Sequence, residues 1–351
     1  MAKINLAVLF GGQSSEHEIS CLSVMTVAGN LDTEKYQPLL IGITKEGRWL
    51  KVDSLEQVQD GTWRESPVRV LFSPDAEMKG VLLQEGDSFT YQPVDVVFPV
   101  LHGKWGEDGT VQGLLEMAKI PYVGCGVLSS AVSMDKLSTK ILVDTLGIRQ
   151  ATYVPVYAPE LEDMEAVARR VEERLSYPVF VKPSNAGSSR GVSKARNRQE
   201  LEAALHLAAG EDSKILVEEA IVGRELECAV LAGEDVQVSG VGEILSAAEF
   251  YDYEAKYSNP DSRTVVDPEL PEGKAEEIRQ DAAAIFRMVD GLGLARVDFF
   301  LENGTNQVVF NEINTLPGFT SISMYPMLWA ARGIPVPELV ERLIQTAYLR
   351  R

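Results

Sequence analysis

This 351-residue chain is poor in several things, and each scarcity excludes a class of protein. Only three cysteines occur, Cys21, Cys125 and Cys228, far apart in the chain. An odd, scattered set forms neither a disulfide framework nor a paired zinc site. It reads as buried thiols in a reducing cytoplasm. No apolar run approaches the roughly 18 residues of a membrane helix. The one segment resembling a secretion signal, Lys3 with Ile4–Phe10, runs straight into Gly11-Gly12-Gln13 without a small-residue cleavage site. A first β-strand is expected there instead. Positive charge is also short: 33 Lys and Arg stand against 52 Asp and Glu, a net −19. That field disfavours nucleic acid and anionic membrane as partners. An anionic ligand such as a nucleotide must be met by locally placed lysines. What remains, 45% hydrophobic and 24% charged, is an ordinary globular composition. The length exceeds that at which single cores split, so two or three domains are expected.

Strand and helix alternate through the first third. Ile4–Phe10, Gln37–Ile43 and Val94–Leu101 read as strands, and Pro121–Gly124 as a brief one. The apolar positions Ile19, Leu22, Val27 and Leu31 suggest a helix, as does Thr110–Lys119. This alternation predicts a parallel sheet covered by helices, with ligands at the carboxyl ends of its strands. Further on, Met134–Leu146, Leu161–Leu175 and Glu272–Val289 read as helices. Pro178–Lys182, Ile215–Glu219, Glu225–Leu231, Ala295–Leu301 and Val308–Ile313 read as strands. The chain divides into 1–124, 125–215 and 216–351. It has no internal repeat and no low-complexity linker.

Four segments carry chemistry. Gly11-Gly12-Gln13-Ser14-Ser15-Glu16 follows the first strand but lacks the third glycine of a dinucleotide fingerprint. Glu16 suits a cationic partner such as a substrate ammonium, or else it complements a helix dipole. His102-Gly103-Lys104-Trp105-Gly106-Glu107-Asp108-Gly109 is a second strand-end loop, headed by a histidine that can equally bond to backbone. Lys182 ends an apolar strand, where a charge needs an anion. The loop 184–191 after it can offer backbone N–H groups and hydroxyls to phosphate oxygens. It is no P-loop, because no Gly-Lys-Ser/Thr closes it. Finally, Glu312 and Asn314 are two apart and share a strand face. Asp298 falls opposite Glu312 on that face if 303–307 is the connection, and on the other face if the connection is even. Three oxygen donors on such a hairpin suit Mg²⁺, and a solvated polar face is the alternative. Together the four segments read as nucleotide-dependent phosphoryl transfer to a small zwitterionic substrate.

The motifs GGQSSEHEIS (11–20), HGKWGEDGTVQG (102–113), SMDK (133–136), VKPSNAGSSRGV (181–192), YDYEAKY (251–257), RVDFF (296–300) and NEINTLPGFTSISMYP (311–326) occur in that order. Through them the chain resembles the D-alanine–D-alanine ligases of the ATP-grasp superfamily over nearly its whole length. The resemblance implies an α/β ATP-grasp fold, with α+β character around ATP. A Rossmann-like N-terminal domain, a central domain with a glycine/serine lid and a C-terminal domain would enclose the nucleotide. It implies ATP with two Mg²⁺, for which Mn²⁺ substitutes, and two molecules of D-alanine joined through a D-alanyl phosphate for peptidoglycan synthesis.

Residue by residue, the resemblance assigns Lys136 and Lys182 to ATP phosphates and Ser188 and Ser189 to the lid over them. Glu218, Glu219, Ala220 and Ile221 would form the adenine hinge, with Glu225 at the ribose and Lys256 and Phe310 also at the nucleotide. Asp298, Glu312 and Asn314 would hold metal. Glu16 would bind the first ammonium, His102 would lie near its carboxylate, and Tyr257 would close the site with Ser188 and Glu16. Arg296 and Gly318 would stabilise the oxyanion, while Ser323 and Met324 would meet the second substrate. The resemblance also implies a cytoplasmic homodimer. Trp105 and Arg190 depart from the common pattern, outside the assigned sites. The rival readings are a ligase using D-serine or D-lactate, another carboxylate–amine ligase, a dehydrogenase, and a silent nucleotide-binding module.

Overall fold

The computed structural model describes residues 2–187, 190–245 and 263–350. Three sheets organise them. The first is built on β1 (Ile4–Gly11), followed by α1 (His17–Gly29), β2 (Tyr36–Ile43), β3 (Trp49–Val52), α2 (Leu55–Asp60), β4 (Val68–Phe72), β5 (Gly80–Glu85), β6 (Ser88–Pro93) and β7 (Val96–Val100). Its order is β6-β5-β4-β3-β2-β1-β7. Only β2-β1-β7 are parallel, and β3 to β6 add an antiparallel wing. The expected parallel sheet is thus one end of this sheet alone. β1 and β7 are apolar runs buried on both faces, as parallel strands must be. The wing strands β4 to β6 are short and half exposed, so their apolar signal is weak. Pro121–Gly124 contributes a single bridge, Tyr122 to Val97, rather than a strand.

After α3 (Thr110–Ala118) come α4 (Val127–Met134), which the sequence did not suggest, and α5 (Lys136–Asp144), where a helix over Met134–Leu146 was expected. The break is Asp135, in extended backbone, whose carboxylate caps α5 by accepting the Ser138 N–H at 2.9 Å. A capping aspartate begins a new helix whatever the apolar periodicity says. The break makes Lys136 the first residue of α5. The expected helix over 161–175 is likewise shorter, as α6 (Met164–Glu172) starts behind the Asp163 cap. The second sheet, order β10-β9-β11-β8, comprises β8 (Tyr153–Tyr157), β9 (Val179–Pro183), β10 (Ser193–Ala195) and β11 (Lys214–Glu219), with α7 (Arg198–Ala209) packed on it.

The third sheet, order β14-β13-β12-β15-β16, is antiparallel. It contains β12 (Gly223–Ala232), β13 (Val236–Leu245), β14 (Arg263–Val266), β15 (Gly293–Glu302) and β16 (Val308–Asn314). Helices α8 (Lys274–Met288), α9 (Met324–Ala331) and α10 (Val336–Thr346) complete the chain. The elements α7, β8, β13, α9 and α10 are not among those the sequence suggested. One core runs from Leu6, Val8 and Phe10 of β1 through Val24 of α1 to Phe319, Tyr325, Leu328 and Leu343, so the first sheet's layer and the C-terminal helices share their interior. All three cysteines are buried and unpaired. Among the described residues no helix is long and apolar enough to cross a membrane.

Candidate active site

A cleft of about 1060 Å³ opens where the three sheets meet. Every candidate residue that the structure describes lines it: Glu16 and His102 from the first layer, Lys136 from α5, Lys182 from β9. Glu218, Glu219, Ala220, Ile221 and Glu225 come from β11 and the turn into β12; Arg296, Asp298, Phe310, Glu312, Asn314, Gly318, Ser323 and Met324 complete the wall. Ser188, Ser189, Lys256 and Tyr257 lie outside the described residues. Arg190, which departs from the family pattern, pairs with Glu211 at 3.0 Å.

Lys182 does meet an anion, but it is a protein carboxylate. Its Nζ lies 2.6 Å from Glu218 Oε2, while Lys140 Nζ lies 2.9 Å from Glu218 Oε1. Burial alone would raise the Glu218 pKa, but Lys140 and then Lys182 outweigh it and hold the carboxyl down at about 2. Lys182 is held up by Glu218, with Glu312 and Glu225 adding to it, against the burial that opposes its charge. Lys140 is only 2% exposed, and burial lowers its pKa despite Glu218. Sequence reasoning missed Lys140. The available signal was its place four residues after Lys136, which puts both on one side of α5.

The hairpin of β15 and β16 reaches the arrangement anticipated for it by another route. The Glu302 N–H bonds to the Gln307 carbonyl, and Leu301 pairs with Val308. Continued evenly, that register would set Asp298 against Asn311. A bulge between Asp298 and Phe299 shifts it, so Asp298 faces Glu312 and Arg296 faces Asn314. Arg296 grips Asp298 with two hydrogen bonds of 2.8 Å, and Asn314 Nδ2 donates to Asp298 Oδ2 at 3.0 Å. Lys136 Nζ stands 3.5 Å from Glu312 Oε2. Two carboxylates and an amide oxygen on one face of a strand pair form a hard, all-oxygen donor set. That set fits Mg²⁺ or Mn²⁺ and leaves positions for phosphate oxygens.

At the first layer's edge, Ser14 Oγ donates to the His102 carbonyl at 2.7 Å and accepts the Glu16 N–H at 3.2 Å. The Glu16 carboxylate fills the space beside Gly103 and Gly187, where a Cβ on either glycine would collide with it. His102 is 5% exposed and donates from Nδ1 to the Leu316 carbonyl at 2.8 Å. Burial lowers its pKa, with Glu16 opposing, so the ring is neutral. Glu107, which sequence reasoning left without a role, is buried and accepts the N–H groups of Gly103 (2.7 Å) and Leu316 (2.9 Å). Burial and the Glu16 carboxylate push its pKa up to about 8 against those two donors. Ser323 Oγ accepts the Thr320 N–H at 2.9 Å, and Met324 is buried against Gly242 at the start of α9.

A cleft between two antiparallel sheets, with lysines on one wall and an oxygen-rich hairpin on the other, defines the ATP-grasp class of carboxylate-activating enzymes. Family models described as "D-ala D-ala ligase N-terminus" and "D-ala D-ala ligase C-terminus" match residues 5–125 and 142–345. The chain is 49% identical over 348 residues to a D-alanine–D-alanine ligase of Caldicellulosiruptor bescii, covering 99% of this chain and 96% of that protein. A ligase of the same name from Acetivibrio thermocellus is 49% identical over 363 residues, covering 99% and 96%. Among solved structures, the D-alanine–D-alanine ligase from Coxiella burnetii superposes with a TM-score of 0.87 at 36% identity, covering 99% of this chain and 94% of that one. The VanG D-Ala:D-Ser ligase from Enterococcus faecalis gives 0.89 at 38%, covering 99% and 100%. The chain belongs to the D-alanine–D-alanine ligase family.

Proposed function

We propose that this enzyme joins two D-alanines into D-alanyl-D-alanine at the expense of ATP, supplying peptidoglycan synthesis in the cytoplasm. The observation that carries the reading is the convergence of Glu16, Lys136, Lys182, Arg296, Asp298, Glu312 and Asn314 on one cleft. A carboxylate is a poor electrophile and must be activated. Its oxygen attacks the γ-phosphorus of ATP, the bond to the β–γ bridging oxygen breaks, and ADP leaves an acyl phosphate. The amine of the second D-alanine then attacks the carbonyl carbon, the amine proton is lost and inorganic phosphate departs.

Within that sequence Lys136 and Lys182 bind phosphate oxygens, and Lys182 exchanges Glu218 for the nucleotide. The backbone and side chains of 218–221 hold adenine, Glu225 holds ribose, and Phe310 packs beside the base. Glu16 takes the first ammonium. Arg296 and the Gly318 N–H face the oxyanion, while Ser323 and Met324 bound the second substrate. Asp298, Glu312 and Asn314 hold Mg²⁺, which when bound neutralises phosphate charge. The loops carrying Ser188, Ser189, Lys256 and Tyr257 exclude water, since an acyl phosphate hydrolyses readily. The division 1–124, 125–215 and 216–351 assigns the substrate layer, the lid-bearing grasp layer and the metal-bearing grasp layer.

The experiment is phosphate release from ATP and Mg²⁺ with D-alanine, compared with L-alanine or no amino acid. Release with D-alanine alone, and a dipeptide of the right mass, is expected. The likeness to a D-Ala:D-Ser ligase makes D-serine a necessary second arm, with D-lactate as a third. Faster release with either as acceptor would move the enzyme to that branch, and no release with any of them would sink the reading. We also propose a homodimer. Light scattering at two protein concentrations is expected to give twice the 38.5 kDa chain mass, and a monomer at both would overturn it.

A further inference from the structure

The segment Thr315–Phe319 leaves β16 and passes under the first layer, and among the described residues the side chains that hold its backbone come from that layer. Glu107 Oε1 accepts the Leu316 N–H, and His102 Nδ1–H donates to the Leu316 carbonyl. Pro317 has no N–H to satisfy. The Phe319 N–H donates to Ser23 Oγ at 3.2 Å, and Ser23 lies fully buried on α1. The same Ser23 hydroxyl lies 3.0 Å from His102 Nε2. Because Nδ1 must carry its hydrogen to reach a carbonyl, Nε2 is an acceptor and Ser23 O–H is the donor. Both ring nitrogens of His102 are therefore engaged inside the protein. In this segment, the Gly318 N–H finds no acceptor among the described residues, and Gly318 lines the cleft. Leu316, two residues before it, and Phe319, directly after it, are pinned, while the Gly318 N–H is left open toward the cleft.

We propose that Ser23 and Glu107 are positioning residues which, with His102 as the strut between them, clamp Leu316 and Phe319 and so aim the Gly318 N–H at the reacting carbonyl. This rests on the ligase reading of the cleft. His102 then works through the protein backbone and does not donate a proton to the substrate carboxylate. α1 and β7, the strand that leads into the His102 loop, share a core with the C-terminal helices, so the oxyanion donor belongs to one layer and its support to another. An oxyanion donor is worth most when it needs no reorganisation as charge develops, which is what a clamp on Leu316 and Phe319 supplies.

The test has two parts. In wild-type protein labelled with ¹⁵N-histidine, at pH 7.5, the His102 ring is expected as the neutral Nδ1–H tautomer, assigned by its loss in His102→Gln. The Ser23→Ala variant is expected to lose about tenfold in kcat, the scale of one or two hydrogen bonds, with the KM for ATP unchanged and the fold intact by circular dichroism. An Nε2–H tautomer in wild type would overturn the proposal. So would a folded Ser23→Ala that keeps full kcat, or one whose only change is a raised KM for D-alanine. Wild-type protein that never releases phosphate with D-alanine would instead remove the ligase reading, and the tautomer would still decide whether the clamp exists.

Discussion

Glu312→Gln is expected to abolish turnover while leaving the fold intact. The substitution keeps the side chain's volume and one carbonyl oxygen but removes the charge that faces Lys136 at 3.5 Å and pairs across the hairpin with Asp298. Of the three proposed metal donors, Asp298 already receives two hydrogen bonds from Arg296 and one from Asn314. Losing a metal that neutralises phosphate charge removes several kcal/mol of transition-state stabilisation. Phosphate release is therefore expected to fall by on the order of 10³-fold or more. Mn²⁺ binding, followed by electron paramagnetic resonance without substrates, is expected to weaken in parallel. Undiminished turnover, or unaltered Mn²⁺ affinity with ATP absent and present, would defeat the metal assignment. Because Glu312 is about a quarter exposed and sits at a strand end, the thermal midpoint is expected to hold.

Lys140→Met carries the largest expected effect on stability. Lys140 and Lys182 share one buried carboxylate, and removing one partner of a buried ion pair costs about 3–5 kcal/mol, because a charge is left poorly compensated. A lower urea midpoint at pH 7 is the readout. The pH dependence has a definite sign. Glu218 has its folded pKa depressed to about 2, from the ordinary 4.5 of a glutamate. Its contribution is fully present above the unfolded value and is lost as pH falls through the folded one. The gap between wild type and variant is thus expected to be full at pH 7 and to narrow below about pH 4.5. A second consequence concerns the nucleotide. With Lys140 gone, Glu218 depends on Lys182 alone, so phosphate must compete for that lysine and the KM for ATP is expected to rise. Lys140→Met combined with Glu218→Leu is expected to recover part of the lost stability, since contacting residues are coupled. A midpoint equal to wild type in the single variant would show that the pair carries no net stability.

Much of the site is legible in the sequence, because its chemistry is concentrated in short runs at strand ends. Asp298, Glu312 and Asn314 are marked by a spacing of two within apolar strands, and Lys182 by a charge that its strand cannot otherwise accommodate. The parallel strands β1, β2 and β7 are legible for a related reason: burial on both faces writes a continuous apolar run. The sequence determines which residue types are available, in which order, and which of them share a face. It also argues against the dinucleotide reading through a missing glycine.

The tertiary structure alone decided the rest. The register that sets Asp298 against Glu312 depends on a bulge at Asn311, and a one-residue shift in a ladder cannot be read from composition. The helix break at Asp135 arises because its carboxylate also accepts from Ser184 and Lys214, partners far along the chain. Lys140 looks like any helical lysine until the fold buries it against Glu218. Ser23 on α1, His102 and Glu107 on one loop, and Leu316 after β16 are far apart in the chain, and only folding brings them into one hydrogen-bonded chain. Local sequence fixes what a residue can donate, accept or bury. Which group it meets across hundreds of residues is settled by how the layers pack, because desolvation and pairing depend on distance in space rather than along the chain.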